Sequence, residues 1–360
     1  MRALSLSLFL FSGLSLLAAA FTSCASAQGQ AQAPPPVPRI IFDTDMDTDC
    51  DDAGAMAVLH ALADRGECEL LGTVVSVTHP GAAPTVAAIN AYYGRPHLPI
   101  GAPKKHGTSH PSKYVDQIAK EFPQSLKSTG NAPDAVRIYR DILENQPDQS
   151  VTIVTVGYLT NLRNLLELPA EGSHLSGTDL VKLKVKLHVC MGGNFIGSPA
   201  KDDLKLGNVN FTREPGSVLK VIREWPTPIV FAGREVCSVP SGLQIGSSLA
   251  KTPANNPVRR SYEHYFGGTA KNRHVADLAT VLYAVRGQRD YWDLQSTGFM
   301  DLKDNMSFEW KASPDKDQAY LLKKNDANGK PNDRYVESVL DELLIQPPLN
   351  APKPPHEPSL

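Results

Sequence analysis

Alternation of β-branched apolar runs with stretches of helical spacing predicts an α/β fold: a mostly parallel open sheet flanked by helices, in a single domain. Three observations carry this reading. A strand, a helix and a second strand fit into about forty residues at the start of the fold, which is one βαβ unit. Further β-branched runs recur at 150–156, 183–189 and 227–232, with helix-forming sequence between them. The glycine-rich and polar chemistry gathers where these runs end, at the edge where open parallel sheets hold ligands.

Composition bounds the rest. The chain has 360 residues, 41% hydrophobic, with a formal net charge of -2, enough for an ample core. Near-neutral charge argues against nucleic acid as the main partner. Met1-Arg2 and the apolar stretch 4–21 read as a secretory signal, so residues 1–27 form a signal peptide with Ala25-Ser26-Ala27 as the cleavage site. Phe21-Thr22-Ser23-Cys24 offers an overlapping alternative, a loose lipobox that would make Cys24 a lipid anchor. Either route predicts an exported protein, periplasmic or envelope-associated. Residues 28–38 are a proline-rich linker, 39–345 the folded domain, and 346–360 a disordered proline-rich tail. Cys50, Cys68, Cys190 and Cys237 are too irregularly spaced for a zinc site, which leaves buried thiols or one incidental bridge.

The chain turns on its first folded stretch. Ile40 to Phe42 ends a buried strand, and six aspartates follow within ten residues: Asp43, Asp45, Asp47, Asp49, Asp51 and Asp52. Carboxylates packed that closely repel one another unless a cation lies among them or water surrounds them. A hard divalent ion suits an all-oxygen set, and calcium takes six to eight oxygens from a flexible loop. An EF-hand is excluded, since Thr48 and Gly54 stand where Gly and Glu are required. A haloacid-dehalogenase-type phosphatase expects Thr or Val where Asp47 stands.

The elements then follow in order. Residues 53–62 have helical spacing, and 69–77 (ELLGTVVSV) read as a buried strand. That strand ends in Thr78-His79-Pro80-Gly81, where His79 either points into a site or caps its own turn. A helix is expected over 84–93 and a short strand over 97–101. Residues 104–133 form a polar loop near the pocket mouth, and 133–145 a helix. The strand 150–156 runs into Gly157-Tyr158-Leu159-Thr160-Asn161, and the strand 183–189 into Cys190-Met191-Gly192-Gly193-Asn194. Gly207-Asn208-Val209-Asn210-Phe211 follows; Asn-x-Asn also suits simple Asx turns. After the strand 227–232 comes Arg273-His274-Val275-Ala276-Asp277, opening an apolar helix, where Asp277 alone would read as an N-cap. Residues 287–344 alternate polar turns with apolar runs and complete the domain.

In that order, across residues 39–285, these segments resemble the inosine-uridine-preferring nucleoside hydrolase family, in a bacterial exported branch with a longer aspartate loop. The resemblance implies a nucleoside-hydrolase-like fold and calcium-dependent hydrolysis of the N-glycosidic bond of ribonucleosides. It implies Ca2+ held by Asp45, Asp52, Asp277 and the Val156 carbonyl, with Asp45 also the base that activates water. Asp51, His79, Asn208 and Asn210 would contact the sugar, and either His274 or Arg273 would serve as leaving-group acid or the leaving group would need no enzyme acid. Asp43 and Asp49 would shape the loop, and the upstream sugar-contacting asparagine falls near Asp202. The chain departs from the pattern at Asp47 (glycine in that branch), Tyr158 (usually proline), Asn208 (glutamate) and Ala276 (histidine).

Two rival functions stay open at this level. One is a non-catalytic, calcium-dependent ribose- or glycoside-binding envelope protein. The other is a magnesium-dependent phosphatase with Asp43 as nucleophile, for which no phosphate-binding basic residues can be placed. The expected partner is a small-molecule nucleoside of unreadable base. Families of this fold form dimers or tetramers, so a homo-oligomer is a further expectation.

Overall fold

The computed structural model describes residues 37–195, 209–238 and 242–349. The signal peptide, Cys24, most of the linker and of the tail, Asp202 and Asn208 lie outside them. The described residues form one compact unit, and none of their helices is long and apolar enough to cross a membrane.

A nine-stranded sheet organises the domain. Its strands are β1 (Arg39–Thr44), β2 (Glu69–Val75), β3 (Ile100–Gly101), β4 (Val151–Thr155), β5 (Val185–Met191), β6 (Ile229–Ala232), β9 (Trp292–Leu302), β10 (Phe308–Ala312) and β11 (Gln318–Lys323). A separate two-stranded ribbon holds β7 (Gln244–Ile245) and β8 (Arg273–His274). The sheet order is β10-β9-β11-β6-β5-β4-β1-β2-β3. From β3 to β6 and on to β11 every neighbouring pair is parallel; only β9 and β10 run antiparallel, extending one edge.

This order fixes where the site must be. The chain leaves β1 toward β2 and β3 on one side, then returns to β4 on the other and continues to β5 and β6. Strand order therefore reverses between β1 and β4, and the two following loops splay apart there to open a crevice. The aspartates follow β1 and Gly157 follows β4, so the switch point is built from the two motifs that stood out in the sequence.

The parallel strands β1, β2, β4, β5 and β6 are largely buried on both faces, as their near-continuous apolar runs demand. Along β1, Ile40 and Phe42 face one core while Ile41 faces the other. The first core is covered by the helices Asp51–Asp64, Ala82–Tyr92, Ala276–Arg286 and Asp333–Leu344. The second is covered by Ala135–Glu144, Thr160–Leu166, Gly177–Lys184 and Pro215–Glu224. All four cysteines of the described residues are buried free thiols.

Candidate active site and metal centre

Two helices open at the crevice with carboxylates in their first turns. Asp51 and Asp52 begin the helix Asp51–Asp64, and Asp277 lies in the first turn of Ala276–Arg286. Neither helix has a side-chain cap; Cys50 and Val275 hold the cap positions. Asp277 is thus not the N-cap that its sequence position alone suggested. The helix dipole favours these anions without holding them by a capping bond, and their oxygens remain turned to the crevice.

The crevice is a cavity of about 420 Å³ whose lining includes Asp45, Asp49, Asp51, Asp52, Val156, Asn210, His274 and Asp277. Asp45, Asp51, Asp52 and Asp277 expose only 6%, 2%, 2% and 5% of their surface. Ligand oxygens of Asp51, Asp52 and Asp277 all lie within 4.8 Å of one another. Burial, followed by the charges of Asp47 and Asp51, raises the Asp45 carboxyl well above the usual range. Burial and the Asp45 and Asp51 charges raise Asp52 likewise, while the Thr44 hydroxyl donates to it. Burial and the charges of Asp51, Asp52 and Asp45 do the same to Asp277.

These residues fit a hard divalent cation. The donors are oxygens, they converge, and buried Asp51 Oδ2 makes no hydrogen bond, its contact being the 3.2 Å ion pair with His274 Nδ1. The Val156 carbonyl lines the same cavity and accepts from Asn210 Nδ2 at 2.7 Å. A carbonyl oxygen has two lone pairs, so that bond leaves one for an ion.

The remaining aspartates have other work. Asp43 faces the second core, where its Oδ2 accepts from the Tyr139 hydroxyl at 2.9 Å and from Asn161 Nδ2 at 3.2 Å. Burial pushes its carboxyl up to about 8 against those two hydrogen bonds. Asp47 accepts from the His110 backbone N–H at 3.2 Å and does not line the cavity. Asp49 is gripped by both arms of the Arg273 guanidinium. Although burial alone would raise its carboxyl, the hydrogen bonds from His274 and Arg273 hold it well below the usual range.

His274 sits between two of these carboxylates. Its Nε2 is 3.4 Å from Asp49 and its Nδ1 3.2 Å from Asp51. Burial alone would lower it, yet the Asp51 charge and the Asp49 and Asp51 contacts push it up to about 9. A cationic imidazole therefore faces the cavity at neutral pH.

His79 takes the capping place that the sequence also allowed. His79 does not line the cavity; its Nδ1 accepts from the Gly81 N–H at 3.2 Å, so the ring caps its own turn at the start of the helix Ala82–Tyr92. Asn208 lies outside the described residues. The loop expected at the pocket mouth straps the aspartate turn from outside: besides His110 on Asp47, the Tyr114 hydroxyl donates to the Asp49 carbonyl at 2.6 Å.

Sequence reasoning missed several residues of the lining. Arg213, Arg234 and Tyr265 carry no motif spacing that would have found them. Tyr158, noted as standing where proline is usual, was the one signal: its hydroxyl accepts from Arg213 Nη1 at 2.9 Å.

With this geometry in hand, comparison with known proteins is informative. Residues 40–342 match the family model described as inosine-uridine preferring nucleoside hydrolase. No curated protein matches the chain by sequence. Among solved structures, an inosine-uridine preferring nucleoside hydrolase from Bacillus anthracis is similar with a TM-score of 0.59 and 16% identity, over 85% of this chain and 99% of that one. A purine-preferring ribonucleoside hydrolase from Gardnerella vaginalis gives 0.61 and 14%, over 85% and 98%. A plant nucleoside hydrolase gives 0.60 and 16%, over 87% and 100%. At such identities these structures speak for the fold, and the family model speaks for the lineage.

Proposed function

Given that the chain belongs to the inosine-uridine preferring nucleoside hydrolase family, and so is an N-glycosyl hydrolase acting on nucleosides, we propose that it hydrolyses ribonucleosides to base and ribose in a calcium-dependent reaction with Asp45 as base. Family membership sets aside the non-catalytic and phosphatase readings. The single observation that carries the proposal is the convergence of Asp45, Asp51, Asp52 and Asp277, all buried, on one cavity at the switch point of the sheet.

The chemistry follows from charge. Cleaving an N-glycosidic bond builds an oxocarbenium-like cation on the sugar, and carboxylates around the ring stabilise it. Asp45, whose proton affinity is raised by burial and by Asp47 and Asp51, accepts the proton of the attacking water. Asp51 and Asn210, which line the same cavity, would bind ribose hydroxyls. His274, held cationic between Asp49 and Asp51, is the candidate proton donor to the departing base. Asp52, Asp277, Asp45 and the Val156 carbonyl would hold calcium, which when bound orders the sugar hydroxyls and makes water more acidic. The signal-like N-terminus supports export to the periplasm or envelope, with or without a lipid at Cys24.

The test is release of reducing sugar from a panel of purine and pyrimidine ribonucleosides by the natural protein and by Asp45→Ala. The proposal expects release that the substitution lowers by a factor of about a thousand or more, the scale of losing a general base together with a metal ligand. Equal rates for the two proteins would refute it.

A further inference from the structure

The cavity is lined by guanidinium groups as well as carboxylates, and Arg213 reaches it from just beyond the short helix Val209–Thr212. Asn210 and Arg213, three residues apart, form two successive rungs to the turn after β4. Asn210 donates to the Val156 carbonyl at 2.7 Å, and Arg213 donates to the Tyr158 hydroxyl at 2.9 Å. Tyr158 therefore fixes where the Arg213 cation sits. Tyr158 feels the Asp45 charge directly, because burial and then that charge raise its phenol.

Arg213 is not spent on an internal ion pair. Arg273, which lines the same cavity, is locked onto Asp49. Arg213 has no carboxylate within ion-pair distance among the described residues, and the Tyr158 hydroxyl accepts from only one of its five N–H donors. The adjacent Glu214 faces elsewhere, its Oε2 accepting from the Thr160 and Ser217 hydroxyls at 2.8 and 3.1 Å. An exposed guanidinium fork, oriented by a buried tyrosine, is the geometry that recognises a phosphate or carboxylate through paired charge-assisted bonds. Burial raises the Asp47 carboxyl and the Arg213 charge lies near enough to oppose this, but the two form no ion pair; a neutral nucleoside supplies no anion for the fork.

We propose that Arg213, oriented by Tyr158, is a specificity residue for an anionic substituent, so that the preferred substrate is a ribosyl compound bearing a phosphate or a carboxylate. This rests on the nucleoside hydrolase reading of the cavity. The substituent projects from the ribosyl group toward Arg213. Arg213 is a binding residue here and takes no part in bond cleavage.

The experiment compares kcat/KM for uridine, uridine 5'-monophosphate and orotidine, in the natural protein, Arg213→Gln and Arg213→Lys. The expected result is at least a tenfold preference for one anionic compound over uridine. Which compound is preferred tells a sugar phosphate from a base carboxylate. Arg213→Gln should lower that ratio at least tenfold, and Arg213→Lys, which keeps charge without the fork, should restore part of it. A ratio unchanged by Arg213→Gln, or no preference for either anion in the natural protein, would overturn the proposal. Equal loss for anionic and neutral compounds would reduce Arg213 to a support for Tyr158. If no compound is cleaved, the hydrolase reading fails separately, and calorimetric binding of ribose 5-phosphate against ribose, with calcium present, decides for Arg213. Tighter binding of the phosphate, lost in Arg213→Gln, sustains the anion site; equal binding ends it.

Discussion

Gly157 presses directly against Asp45: a methyl group added at Gly157 would fall 2.5 Å from Asp45 Cβ and 2.6 Å from the Asp45 backbone N. The turns after β1 and β4 can converge at the switch point only because one of them carries no side chain there. Gly157→Ala should therefore push the Asp45 turn outward, destabilising the fold by about 1–3 kcal/mol. It should also reduce sugar release far more than that loss of stability explains. Denaturant melting and kcat measured on the same preparation check this; an alanine variant with full activity would show that the close approach is not used.

Mutual repulsion among buried carboxylates gives a prediction of opposite signs. Asp51, Asp52 and Asp277 have oxygens within 4.8 Å of one another, and burial followed by the charges of neighbouring carboxylates raises Asp52 and Asp277. Asp277→Asn removes one charge, so in chelator the variant should melt at a higher temperature than the natural protein. The natural protein should gain about 2.7 kcal/mol from calcium at a hundredfold excess over Kd, and the variant little or none of it. Thermal melts with chelator and with calcium test both signs, and a destabilised variant in chelator would contradict the repulsion.

Acid stability should be set by two histidines far from the catalysis. His60 is held down to about 3 by burial and then by Arg95, against its bond to Asn90, and His188 to about 3 by burial. Both are neutral in the fold, whereas the unfolded chain takes up protons below about 6.5. Their contribution is complete above pH 6.5 and is lost as pH falls from there toward 3, at up to about 1.4 kcal/mol per pH unit for each histidine. Urea unfolding at pH 7 and pH 5 should show this loss, and a His60→Gln, His188→Gln double variant should show a shallower dependence.

Asp43 gives a stability prediction without a catalytic one. Tyr139→Phe removes the hydroxyl that donates to Asp43 Oδ2 at 2.9 Å while Asn161 keeps its bonds. The expected cost is about 1–3 kcal/mol, read by urea unfolding. Calcium affinity should stay within a few-fold of the natural protein, because Asp43 faces the second core and does not line the cavity.

Much of this architecture was legible because it is written in local patterns. The parallel strands β1, β2, β4, β5 and β6 are β-branched and buried on both faces, so they stand out as apolar runs, with ends misjudged by one or two residues. The aspartate loop pointed to a cation because such charge density needs either an ion or surrounding water, and the fold buries Asp45, Asp51 and Asp52. The pairing of Arg273 with Asp49 was hidden, since 224 residues separate them and only the β7–β8 ribbon brings them together. His79 stayed ambiguous for a related reason: a histidine at a strand end reads the same whether it faces a ligand or bonds to the N–H two residues on. The antiparallel extension by β9 and β10 was illegible because its strands are half-exposed and polar. Arg213 became visible only once the fold set it against Tyr158.

The most direct measurement is a calcium titration of protein stripped of metal, following sugar release from a ribonucleoside and thermal stability in the same samples. The account predicts background turnover without calcium, recovery to a plateau, and one midpoint shared by activity and stability. Full turnover by the stripped protein, or stabilisation by calcium with no sugar released from any ribonucleoside, would contradict it.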